Sequence, residues 1–123
     1  MKKILLACML LLSTTVTLFA NSTEETQFWQ YVKASKKNAG NPPGMTLVAD
    51  SKYRIIYTSM PIAVHSGSVT PKLRDKMKKN MLVAIRKAKA DCAVIKDLKI
   101  SIVYAFITSD KSVFTITISY KDL

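Results

Sequence analysis

The chain has 123 residues, with 19 Lys or Arg against 8 Asp or Glu, one histidine and two cysteines, and a formal net charge of +11. That length has no room for two domains, and a single histidine excludes a multi-histidine metal site. The excess of positive charge points toward acidic or anionic partners.

Residues 1–20 carry Lys2 and Lys3, an apolar run from Ile4 to Leu12 and a small residue, Ala20, before the chain turns polar. This pattern predicts a secretory signal peptide. Cleavage after Ala20 is the first choice, and cleavage after Ser22 places Ala20 and Ser22 at the two small-residue positions. Leu5-Leu6-Ala7-Cys8 spells a lipobox-like tetrad, but the apolar core before Cys8 is far shorter than the roughly 7 to 15 residues of a signal core. Lipidation is therefore not expected. Loss of residues 1–20 leaves a single domain, 21–123, with 17 basic and 8 acidic residues and a formal charge of +9. Cys92 is then the one remaining thiol, so no internal disulfide can form. Its neighbours Ala93, Val94 and Ile95 predict burial, although a turn at Asp91 would leave it open to bridging between chains.

Ser22-Thr23-Glu24-Glu25 reads as a capping box that starts a helix from about Thr23 to Asn38. Glu24 and Glu25 suit the positive end of its dipole, and Lys33, Lys36 and Lys37 the negative end. Phe28, Trp29, Tyr31 and Val32 form its predicted core face. The stretch 38–44 ends it, because Gly40 can take the left-handed cap and Pro42-Pro43 cannot continue a helix.

Residues 45–60 read as two strands, Thr46 to Ala49 and Tyr53 to Ser59, joined by a turn at Asp50-Ser51-Lys52; Pro61 ends the second. His65-Ser66-Gly67-Ser68 is turn-like. A long basic helix is then predicted from Thr70 to Ala90, with Thr70 as N-cap and Pro71 at the first helical position. Leu73, Met77, Met81, Ala84, Ile85 and Ala88 make its apolar stripe. Leu82 and Val83 project away from that stripe, among Lys78, Lys79, Arg86 and Lys87. Asp91 to Lys96 reads as a connector, with Asp91 as surface charge.

The clearest hairpin follows: Lys99 to Thr108, a Ser109–Ser112 turn, and Val113 to Tyr120. Ile100, Ile102, Tyr104 and Phe106 share one face of its first arm, and Val103, Ala105 and Ile107 the other, which predicts a central strand. Phe114, Ile116, Ile118 and Tyr120 form the buried side of the second arm. The order α-β-β-α-β-β predicts a two-layer α+β fold, with two helices on a mostly antiparallel sheet of about four strands. A crossover between parallel strands would be right-handed.

No catalytic constellation accompanies this frame. A nucleophile–histidine site would have to recruit His65, and no phosphate-cradling loop, GxSxG or paired-cysteine motif is present. Neither an enzyme activity nor a metal or cofactor is expected. The expectation is an exported accessory or inhibitory factor, periplasmic or secreted, that binds another protein with an acidic surface. It would dock through the central helix or an exposed sheet edge, with Leu82, Val83, Lys78, Lys79, Arg86 and Lys87 as the candidate partner surface. The alternative is a cationic binder of anionic envelope lipid or polymer. Export and the lack of aromatics interleaved with the basic residues argue against nucleic acid.

Overall fold

The computed structural model describes residues 23–39 and 45–123. The expected leader, the capping role of Ser22 and the turn at 40–44 lie outside the described residues.

The elements run in the order α1 (Glu24–Ala39), β1 (Thr46–Asp50), β2 (Ile55–Pro61), a 3-10 turn (Ser66–Ser68), α2 (Pro71–Lys87), α3 (Lys89–Asp97), β3 (Ser101–Ile107), β4 (Val113–Ser119) and a C-terminal 3-10 turn (Tyr120–Asp122). The four strands form one sheet in the order β1-β2-β3-β4. The β1–β2 and β3–β4 pairs are antiparallel, and β2–β3 is parallel because α2 and α3 intervene. The fold is therefore α+β with a mostly antiparallel sheet.

The three helices among the described residues lie on one side of this sheet, as the parity of the strands requires. Ile56 and Met60 of β2, Ile102, Tyr104 and Phe106 of β3, and Ile116 and Ile118 of β4 are buried. They join Phe28, Tyr31 and Val32 of α1, Met77, Met81 and Ile85 of α2, and Val94 and Ile95 of α3 in one core. The alternate residues face away from the helices, and among them only Asp50 is charged. The strands thus place no lysine or arginine on the open sheet face.

Local chemistry explains most boundaries. The Thr23 hydroxyl accepts from Thr26 N–H (3.3 Å) at the start of α1, and the Thr70 hydroxyl accepts from Leu73 N–H (3.1 Å) at the start of α2. The Asp50 carboxylate accepts from Lys52 N–H (2.9 Å) and Tyr53 N–H (3.3 Å), which fixes the β1–β2 turn. Pro61 sits in an interior strand without cost to the ladder. Arg54 O and Ile62 N–H both bond toward β3, so Pro61 faces the β1 side, beyond the first β1 residue at Thr46.

The expected connector after the basic helix is a third helix. Ala88, at φ −80° and ψ 74°, breaks the helix after Lys87, and α3 begins at Lys89. It ends in a Schellman arrangement: Ile100 N–H donates to Ile95 O (2.9 Å) and Lys99 N–H to Lys96 O (3.3 Å), with Lys99 in the left-handed region at φ 54°. Asp91 is in the first turn of α3 and is 3% exposed, not a surface charge. The Tyr31 hydroxyl donates to its Oδ1 at 3.4 Å, which ties α1 to α3 inside the core. Burial, and then the neighbouring Asp91 charge, push the Tyr31 hydroxyl well above the usual tyrosine range. Trp29, expected on the core face of α1, is 44% exposed; its ring packs edge-on against buried Phe28 at 5.5 Å. Cys92 is half-buried beside the core.

Candidate partner-binding groove along the outer strand

β4 is an edge strand, and its register shows which backbone groups it offers. Tyr120 N–H donates to Ile100 O (3.0 Å) at one end of the hairpin, and Thr108 N–H donates to Ser112 O (2.8 Å) at the other. Hydrogen-bonded and non-bonded pairs alternate between antiparallel strands, so Phe114, Ile116 and Ile118 bond inward to β3. Val113, Thr115, Thr117 and Ser119 turn their N–H and C=O groups outward. Two of these outward groups are engaged: Ser119 N–H by Asp122 Oδ2 (2.9 Å) and Thr115 O by Arg74 Nη2 (3.1 Å). Among the described residues, Thr115 N–H and both backbone groups of Thr117 have no partner.

Edge strands are commonly blunted by charge, proline or a bulge. Val113–Ser119 carries no charged residue, no proline and no glycine, and its β-branched residues favour extended backbone. It also pairs with β3 without interruption.

The first half of α2 runs beside this edge and leaves two adjoining cavities. One, of about 290 Å³, is lined by Pro71, Arg74, Asp75 and Lys78 of α2 and by Thr115, Ile116 and Thr117. The other, of about 340 Å³, lies toward the β3–β4 turn and includes Val69, Pro71, Arg74, Val113 and Phe114. Pro71 and Arg74 border both, so they form one groove. Pro71, Arg74, Asp75 and Lys78 reach it together because three- and four-residue spacing places them on one helix face. The Arg74 guanidinium also lies over the Phe114 ring, 5.9 Å from its centroid.

The far end of the groove is pinned by Asp110. Its carboxylate accepts from Ser66 N–H (3.0 Å), from the Ser66 hydroxyl and from the Thr108 hydroxyl (2.6 Å). These hydrogen bonds hold Asp110 well below the usual carboxylate range and join the 3-10 turn to the hairpin. His65, 3.6 Å from Asp110, is exposed and accepts from Gly67 N–H at Nδ1.

The structure distributes the sequence-predicted surface over two roles. Lys78, Leu82 and Arg86 are spaced four apart on one face of α2. Lys78 is 3.6 Å from Asp122 Oδ2, and Arg86 donates to Asp122 O at 2.7 Å. Both cations hold the C-terminal 3-10 turn, and Leu82 between them is half-buried against the core. Val83 is 48% exposed, and Lys79 and Lys87 are exposed with no ion pair among the described residues. Nothing in the sequence marks Arg74, Phe114, Thr115 or Thr117 as functional. The Thr/Ile alternation of β4 was visible, but its place at the sheet edge beside Arg74 was not.

Among the described residues there is no group of three or more His, Cys, Asp or Glu that could hold a metal ion, and no helix is long and apolar enough to cross a membrane. The fold and groove define a small α+β domain with an unblunted outer strand beside a basic helix. Comparisons with protein-family models, curated proteins and solved structures find no match.

Proposed function

We propose that this chain is an exported, non-enzymatic binding module, an accessory or inhibitory factor that captures another envelope or secreted protein by adding a strand of it to β4. The observation that carries this reading is the outward edge of β4, where among the described residues Thr115 N–H and the N–H and C=O of Thr117 stand open beside a groove walled by α2. Main-chain hydrogen bonds supply affinity in strand addition, and side-chain pockets along the edge supply selectivity. Arg74 favours a partner that carries negative charge there. Thr117→Pro tests the reading, because its N–H points outward, where proline is tolerated in an edge strand. Capture of the partner should be lost while the domain keeps its stability; full retention of binding would refute strand addition.

A second reading, binding of anionic lipid or polymer, is favoured by the exposed Lys72, Lys76, Lys79 and Lys87, none of which is ion-paired among the described residues. Such a complex weakens steeply as salt shortens the screening length to about 3 Å near 1 M, and it is insensitive to Thr117→Pro.

A further inference from the structure

The two halves of the β4 groove differ in chemistry, and their spacing along the strand specifies a ligand. Resting on the strand-addition reading above, we propose that the groove selects an extended segment with a carboxylate two residues before an apolar side chain, an acid-x-apolar pattern on its helix-facing side.

In an antiparallel pair, directly opposite residues point to the same face of the sheet. An added strand that bonds to the outward groups of Thr115 and Thr117 therefore places its residues opposite Ile116 and Phe114 on the helix side. Those two positions are about 6.6 Å apart along a strand that rises about 3.3 Å per residue. The side chain opposite Ile116 enters the cavity lined by Arg74, Asp75 and Lys78; Lys78 is held 3.6 Å from Asp122, so Arg74 is the cation that meets a carboxylate there. The side chain opposite Phe114 enters the cavity where Val69, Pro71 and the Phe114 ring supply apolar lining beside the uncharged Ser66, Thr108 and Ser112.

Arg74 stands between the two. It stacks on Phe114 and spends one N–H on Thr115 O, leaving other donors of its planar fork for a carboxylate. Thr115 O keeps a second lone pair for the N–H of the added strand. The alternate residues of the segment fall on the open sheet face beside Thr115 and Thr117, which is uncharged there, and so are neutral. Antiparallel addition is the stronger geometry per residue, and it sets the order as acid first. Parallel addition would reverse it.

The test uses a fluorescently labelled peptide, acetyl-TTETLTS-amide, with its E→Q variant, the order-reversed TTLTETS and a variant with lysine in place of the acid. The E peptide is expected to bind the wild-type chain at least tenfold more tightly than the Q and reversed peptides. Arg74→Gln should bring the E and Q peptides together, and Arg74→Glu should transfer preference to the lysine peptide. Equal binding of the E and Q peptides to the wild type overturns the proposed ligand. In that event, loss of both with Thr117→Pro leaves strand addition standing, whereas retention of both removes that reading as well. A preference for the reversed peptide overturns the antiparallel order. Absence of saturation by the E peptide up to about 1 mM, or a chain whose β4 edges are occupied by each other in a dimer, also overturns the proposal.

Discussion

Replacing Tyr31 with Phe should destabilise the domain in a pH-dependent way that reports directly on its buried polar contact. Tyr31 is fully buried and Asp91 is 3% exposed, and the Tyr31 hydroxyl donates to the carboxylate at 3.4 Å. A hydrogen bond to a charged group contributes about 1.5–3 kcal/mol, and the long distance places this one near about 1.5 kcal/mol at neutral pH. Burial and the Asp91 charge raise the folded-state pKa of Tyr31, so the folded chain holds this proton more tightly than the unfolded chain. The contribution is complete below the unfolded tyrosine pKa of about 10 and falls above it, where only the unfolded state ionises, with a limiting slope of about 1.4 kcal/mol per pH unit. By pH 11 the wild type has lost about 1.4 kcal/mol that Tyr31→Phe never had to lose, and the two proteins should be nearly equal in stability. Urea unfolding followed by circular dichroism at pH 7, 9, 10 and 11 measures the gap. A gap that stays constant from pH 7 to 11 would refute the assignment of Tyr31 as the alkaline-sensitive contact.

Three further outcomes follow from particular positions. Lys99→Gly should raise stability by up to about 1 kcal/mol in thermal or urea unfolding, because Lys99 holds the left-handed cap of α3 that glycine adopts freely. Asp110→Asn should flatten the acid limb of the stability curve: the depressed carboxylate supports the fold above its unfolded pKa near 4, and the wild type loses that support as pH falls through the lower folded value. Leu82→Asp should cost about 1–3 kcal/mol, since Leu82 packs on the core, whereas Val83→Asp should change unfolding by no more than about 0.5 kcal/mol. A comparison of binding at this face therefore belongs with the Val83 variant.

The β3–β4 hairpin and the start of α2 were legible in the sequence because each obeys a local rule. Period-two apolar residues bracket a polar turn in the first case, and Thr70-Pro71 precedes a helical stripe in the second. α3 was hidden because its boundaries break those rules. Ala88 supplies no side-chain cap, and Lys99 stands where glycine normally signals a helix end. Nothing local to Asp91 marks it as buried, because the hydroxyl that donates to it is 60 residues away, on a different helix. Leu82 looked unpartnered for a similar reason. The C-terminal turn that Lys78 and Arg86 bring to its face lies some forty residues downstream. The groove has the same origin: its cations and its threonines are plain in the sequence, but only the sheet order makes β4 the outer strand and sets it beside α2.

Amide hydrogen exchange on isotope-labelled protein, with and without the acetyl-TTETLTS-amide peptide, reads whether the outer edge of β4 accepts a strand. Saturating peptide should slow exchange at Thr115 and Thr117 by about tenfold or more, as newly bonded edge amides require, while the inward amide of Ile116 changes little. Unchanged exchange at both threonines, with peptide-induced protection confined to the lysines of α2, would contradict strand addition and leave the basic helix as the binding surface.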